Sequence, residues 1–103
     1  MGIGICWDTG HAHINGIKQS EALKYIGSRL KTLHLNDNFG EDDIHLAPFM
    51  GTIDWADVMQ GLGAIGYDGL LNFEPRTCGK TAELRKAYGE YMFTAAQDLM
   101  QMI

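Results

Sequence analysis

The chain has 103 residues, eight Lys and Arg against thirteen Asp and Glu, and 46% hydrophobic content, a composition that predicts one globular domain, 1–103. No cluster of Lys and Arg argues for nucleic acid, no apolar run nears the roughly 18 residues of a membrane span, and the start does not read as a signal peptide. The two cysteines, Cys6 and Cys78, lack CxxC spacing, so reduced thiols and a cytoplasmic location are the default expectation.

Residues 2–8 form a short apolar run ending in Asp8, too short for a helix, and read as a buried strand. Ser20 and Glu21 suit the start of a helix reaching to about Gly27. Residues 30–36 read as a second strand, followed by a polar loop. Asp54 is placed to cap a helix from Trp55, and Gly66 to end it. Residues 69–74 read as a third strand. From Thr81 onward, Leu84, Tyr88, Tyr91, Ala95, Leu99 and Met102 recur at steps of three and four, the stripe of an amphipathic helix.

The order is βαβαβα, without a linker or a fixed-period repeat. It predicts an α/β fold with a parallel sheet and right-handed crossovers. A complete (β/α)8 barrel takes about 250 residues, so the chain holds about three of eight units. The predicted fold is a partial (β/α)8 TIM barrel.

Strand parity orients the side chains. Gly4, Cys6 and Asp8 share one face of the first strand; Ile3, Ile5 and Trp7 share the other. Thr32, His34 and Asn36 oppose Leu33 and Leu35 in the second. Leu70, Asn72 and Glu74 oppose Leu71 and Phe73 in the third. The less apolar face of each strand therefore carries an ionisable residue near its C-terminal end: Asp8, His34, Glu74. Parallel strands bring those ends to one rim, where α/β folds build their sites. Asp, His and Glu together are a mixed nitrogen and oxygen ligand set for a divalent cation.

Further donors fall at the same rim. His11 follows Asp8 by three residues, and Asp43 and His45 form a D-x-H pair in the loop after the second strand. His13 reads as a loop histidine without a special role, Cys6 as a small buried hydrophobe, and Trp55 as packing. Glu41 and Asp42 read as a solvated loop face, and Met50, Met92, Met100 and Met102 as core or interface.

Four segments carry a resemblance to a known family. They are Asp8-Thr-Gly-His11, Leu33-His34-Leu-Asn-Asp37-Asn, Asp43-Ile-His45-Leu-Ala-Pro48 with Gly51-Thr-Ile53-Asp54-Trp55, and Leu71-Asn-Phe-Glu74. In this order they resemble the xylose isomerase-like superfamily of barrels, which includes sugar isomerases and epimerases and the endonuclease IV-type nucleases. The resemblance implies the sixth, seventh and eighth βα units, β6-α6-β7-α7-β8-α8. One departure stands out: Pro48-Phe49-Met50-Gly51 replaces the common Pro-Gly-x-Gly.

The resemblance further implies that Asp8, His34 and Glu74 are metal ligands, with His11, Asp43 and His45 near the substrate or a second metal. It implies a Mn²⁺-, Mg²⁺- or Co²⁺-dependent isomerase or epimerase of a sugar or sugar phosphate, moving a proton through an enediolate. Glu74 would be one catalytic acid/base. The other belongs at the end of a fifth strand that these three units do not supply, so the isolated chain is expected to be inactive. The alternative is a zinc phosphodiesterase acting on abasic DNA, which shares Asp8, His11, His34, Asp43, His45 and Glu74; the charge of −5 argues against it. A third possibility is a non-catalytic, self-associating partial barrel. Two open sheet edges and an uncovered inner face predict a homo-oligomer, a dimer in its simplest form.

Overall fold

A parallel strand pair forms the centre of the computed structural model, which describes residues 2–77 and 79–103; Cys78 lies outside the described residues. Strand β1 (Ile5–Asp8) lies beside β2 (Leu30–His34), with Asp8 opposite His34. Between them run helix α1 (Thr9–Ile14), helix α2 (Gln19–Ile26) and a 3-10 turn, Gly27–Arg29. Helix α3 (Trp55–Ala64) and helix α4 (Ala82–Met100) follow β2. No described helix is long and apolar enough to cross a membrane.

The third strand is present only as a parallel bridge between Leu35 and Phe73. Leu35 N–H donates to Asn72 O at 2.8 Å, and Glu74 N–H donates to Leu35 O at 2.9 Å. The expectation of a full strand over 69–74 is corrected accordingly. This segment is an edge, bonded to β2 at its rim end, and Leu70 beside it is 83% exposed. Strand order is therefore β1, β2, then the 72–74 segment.

The parity reading places the core except at Ile3, which precedes β1 and is 88% exposed, so the buried strand expected over 2–8 is confined to Ile5–Asp8. Leu33 and Leu35 are fully buried, with Trp7, Leu71 and Phe73 packed around the same cluster. Leu23 of α2, Val58, Met59 and Leu62 of α3, and Leu99 of α4 close it from the helical side. On the opposite face Cys6 and Thr32 are exposed. Cys6 is thus not the buried hydrophobe its strand position suggested, because no further strand among the described residues covers that side. The stripe of α4 is buried only at Ala95 and Leu99; Leu84 is 47% exposed.

Local caps set most helix starts. Asp54 Oδ1 accepts from Asp57 N–H at 3.1 Å, and Thr81 Oγ1 from Leu84 N–H at 3.1 Å. Helix α2 differs. Ser20 lies inside it, and Lys18 at its N-cap makes no side-chain cap. The cap comes from α3: Asp57 Oδ2 accepts Ser20 N–H at 3.1 Å, and Oδ1 meets Lys18 Nζ at 2.8 Å. Burial pushes the Asp57 carboxyl up, but these bonds outweigh it and hold it below the usual carboxylate range.

Asp37 fastens the long connection after β2. Its carboxylate is fully buried and accepts from Asn38 N–H (2.8 Å), Ile53 N–H (3.1 Å) and Trp55 Nε1–H (2.8 Å). Its backbone exchanges bonds with Leu46 at 2.8 and 2.9 Å. One residue thus joins the end of β2, the middle of the loop and the start of α3. A Cβ at Gly51 would sit 2.4 Å from Asp37 Oδ1 and from Asn38 O, so glycine is required where the loop closes. Trp55 packs in the core as expected, and it also donates to this carboxylate.

Removing this acceptor strands three donors in a dry interior, each costing about 1–3 kcal/mol. Asp37→Ala is expected to lower unfolding free energy by about 3 kcal/mol or more in urea titration, and Trp55→Phe by clearly less. An Asp37→Ala protein within about 1 kcal/mol of wild type would show that the clasp carries little of the stability.

Candidate metal centre

The rim ends of β1, β2 and the 72–74 segment bring Asp8, His34 and Glu74 together. One ligand atom from each lies within 4.8 Å of the other two. His34 Nδ1 is 3.1 Å from Glu74 Oε2. Cation–ligand bonds of about 2.0–2.6 Å let two donors around one ion lie about 4–5 Å apart, so the three side chains fit a single divalent cation. Two carboxylates and an imidazole suit Mn²⁺, Mg²⁺, Co²⁺ or Zn²⁺ better than a soft monovalent ion.

The loop donors reach the same cluster. His11 Nε2 lies 3.0 Å from Asp43 Oδ2, and His11 Nδ1 3.6 Å from Asp8 Oδ2. His45 Nε2 lies 3.2 Å from Asp43 Oδ1. His45 Nδ1 is 2.8 Å from the Glu74 backbone carbonyl and 3.7 Å from Glu74 Oε1. Asp8, His11, Asp43, His45, Glu74 and His34 therefore follow one another around an arc of alternating carboxylates and imidazoles. Asp43 bridges His11 and His45, which no strand pattern could have specified.

His11 is on α1, a short helix absent from the sequence reading. Its start was legible in principle: Asp8 is an N-cap residue, and its Oδ1 accepts His11 N–H at 3.0 Å. The cap and the candidate ligand are one side chain. His13, also on α1, places Nε2 2.8 Å from Thr52 Oγ1, away from the arc.

His45 is held from two sides. Arg76 N–H donates to its carbonyl at 2.8 Å, while its ring meets Glu74 O. Its φ of +52° is left-handed, a conformation that non-glycine residues adopt sparingly and that gathers at functional sites. Phe49 has φ +74° at the place where the resembling family has glycine. Its aromatic ring lies 6.4 Å from the ring of Trp55.

The Glu74 carbonyl can only accept, so His45 Nδ1 carries a proton and Nε2 faces the Asp43 carboxylate. The carbonyl bond raises the imidazole above its ordinary value; burial works against this, and Asp43 and Glu74 add to the rise.

A segment of parallel α/β barrel with a carboxylate–imidazole cluster at its strand-end rim is the class that fold and site define. The family model of the xylose isomerase-like TIM barrel matches residues 2–92. The chain belongs to that family. D-psicose 3-epimerase of Enterocloster bolteae is 36% identical over 73 residues, covering 71% of this chain and 23% of that protein. A solved D-tagatose 3-epimerase-like protein has a TM-score of 0.64 at 29% identity, covering 93% of this chain and 37% of that one. A xylose isomerase domain protein from Alicyclobacillus acidocaldarius superposes with a TM-score of 0.81 at 21% identity, over 96% and 37% of the two chains, which shows the shared fold. The chain spans between 23% and 31% of the length of the curated relatives it matches.

A folded-state pKa above about 6.5 makes His45 stabilising below that pH, and the contribution disappears as pH rises through the folded value. Urea midpoints of metal-free wild type and His45→Gln are therefore expected to differ most below pH 6.5 and to converge toward pH 8. A gap that widens with rising pH would contradict the assigned contacts.

Proposed function

We propose that the chain carries the ligand-bearing rim of a metal-dependent sugar or sugar phosphate isomerase or epimerase. The observation that carries this reading is the Asp8, His34 and Glu74 cluster, with ligand atoms within 4.8 Å of one another. The names of the related 3-epimerases point to ketoses as the substrate class.

Asp8, His34 and Glu74 would hold the cation, which supplies Lewis-acid polarisation of a hydroxyketone. Glu74 takes or returns the proton on the carbon next to the carbonyl. Its carboxylate lies between His34 and His45, so both oxygens have a nearby imidazole. His11, His45 and Asp43 line the approach and offer hydrogen bonds to sugar hydroxyls. A second acid/base carboxylate opposite Glu74 is not supplied by these three strands, and the isolated chain is inactive on this reading.

The Asp43 bridge between His11 and His45 favours a second reading, a zinc phosphodiesterase, because it places three more donors beside the first three. Metal analysis separates the two. A single Mn²⁺ or Co²⁺ per chain favours sugar chemistry; two or more zinc ions favour the phosphodiesterase.

Titration calorimetry with Mn²⁺ tests the proposed centre. One binding event is expected at pH 7.5, lost in His34→Ala and in Asp8→Ala. Unchanged affinity in His34→Ala would remove His34 from the ligand set.

We also propose that the chain self-associates through the exposed sheet face bearing Cys6 and Thr32, with the exposed Leu70 adding apolar surface. Sedimentation equilibrium at tens of micromolar is expected to give a dimer. A single 11.4 kDa species would refute it.

A further inference from the structure

Asn36 is fully buried one residue beyond Leu35, at the rim end of the β2 segment. Its Nδ2–H donates to Asp8 Oδ1 at 3.3 Å, the oxygen that also accepts His11 N–H at 3.0 Å. Its own Oδ1 is buried without a hydrogen-bond partner among the described residues. A buried carbonyl without a partner forfeits the hydrogen bonds it makes to water, so the amide is retained at a disadvantage to stability.

The surroundings explain why it keeps this orientation. Rotating the amide would set Oδ1 against the Asp8 carboxylate, oxygen against oxygen. A Cβ at Gly10 would lie 2.0 Å from Asn36 Oδ1, so the carbonyl end is seated against a residue with no side chain. The Asn36 backbone is fixed as well: its N–H donates to Thr9 Oγ1 at 3.1 Å, and its carbonyl accepts from the same hydroxyl at 2.8 Å. Thr9, itself fully buried, thereby continues the β1–β2 pairing one step past Asp8 and His34.

A carboxylate oxygen has two in-plane lone pairs, and both on Asp8 Oδ1 are engaged by Asn36 and His11. Oδ2 has neither bond; its nearest ionic neighbour is His11 Nδ1 at 3.6 Å.

We infer that Asn36 is a positioning residue for the metal centre, occupying Asp8 Oδ1 so that Asp8 presents only Oδ2 as a one-oxygen ligand. The inference rests on the proposed metal reading and adds to it the residue that orients the first ligand. Hydrogen-bond partners of ligands commonly govern metal affinity by ten- to a hundredfold.

Mn²⁺ calorimetry at pH 7.5 on the 103-residue chain tests it, with thermal unfolding of each metal-free variant measured alongside. Asn36→Ala is expected to weaken Mn²⁺ binding about tenfold or more. Leu23→Ala, a core truncation distant from the rim, should lower stability yet leave affinity within about twofold. If Asn36→Ala does not fold, Asn36→Ser serves; its hydroxyl is too short to reach Asp8, and the same loss is expected. Affinity in the folded Asn36 variant within about fivefold of wild type would overturn the inference. So would an equal loss in Leu23→Ala, since affinity would then only follow stability. Wild type that binds no Mn²⁺ would instead defeat the metal reading itself, an outcome distinct from failure of the Asn36 role.

Discussion

A carboxylate sealed in the interior without a cation beside it is costly unless its oxygens are fully hydrogen-bonded, and Asp37 meets that condition with two backbone amides and an indole. Those three donors come from the loop just after β2 and from the first residues leading into α3. The same residue pairs its backbone with Leu46, next to His45. The length of chain from 38 to 54 is thus closed into a loop at one buried point. Without that closure neither Asp43 nor His45 would have reason to lie over the strand ends.

The cluster at the rim follows from this loop meeting two paired strands and one strand end. β1 and β2 deliver Asp8 and His34 side by side, because Asp8 and His34 are register partners. The Leu35–Phe73 bridge then brings Glu74 to the same level. The loop contributes Asp43 and His45 from above, and α1 contributes His11 from a helix that Asp8 itself caps. A cap, a candidate ligand and a partner of His11 are therefore combined in one side chain. Such sharing makes the site sensitive to the neighbours of Asp8, Asn36 above all.

The two faces of the sheet have different fates. One is covered by α2, α3 and the end of α4 and holds the apolar cluster. The other, which in a closed barrel would be packed by side chains from further strands, carries exposed Cys6 and Thr32. Among the described residues the 72–74 segment has β2 as its strand neighbour and pairs with it through the Leu35–Phe73 bridge. The family membership and the partial coverage of its longer relatives agree with this picture.

What the sequence determined by itself was orientation. Alternation at period two in 3–8, 32–36 and 70–74 sorted Leu33, Leu35, Trp7, Leu71 and Phe73 to the core and Asp8, His34 and Glu74 to the other face, and the cap at Asp54 was legible because a cap is a contact over three residues. Contacts between distant segments were set only when the chain folded. Asp57 of α3, not Ser20, caps α2; Cys6 is exposed; Asn36, Asp37 and Asn38, polar in sequence, are fully buried. The left-handed turn at His45 and the Asp43 bridge to His11 belong to the same class. Local periodicity fixes which way a side chain points, because strand geometry repeats every two residues. It carries no information on which donor from 10 to 40 residues away will meet that side chain, and burial of a polar group is stable only once that donor is in place.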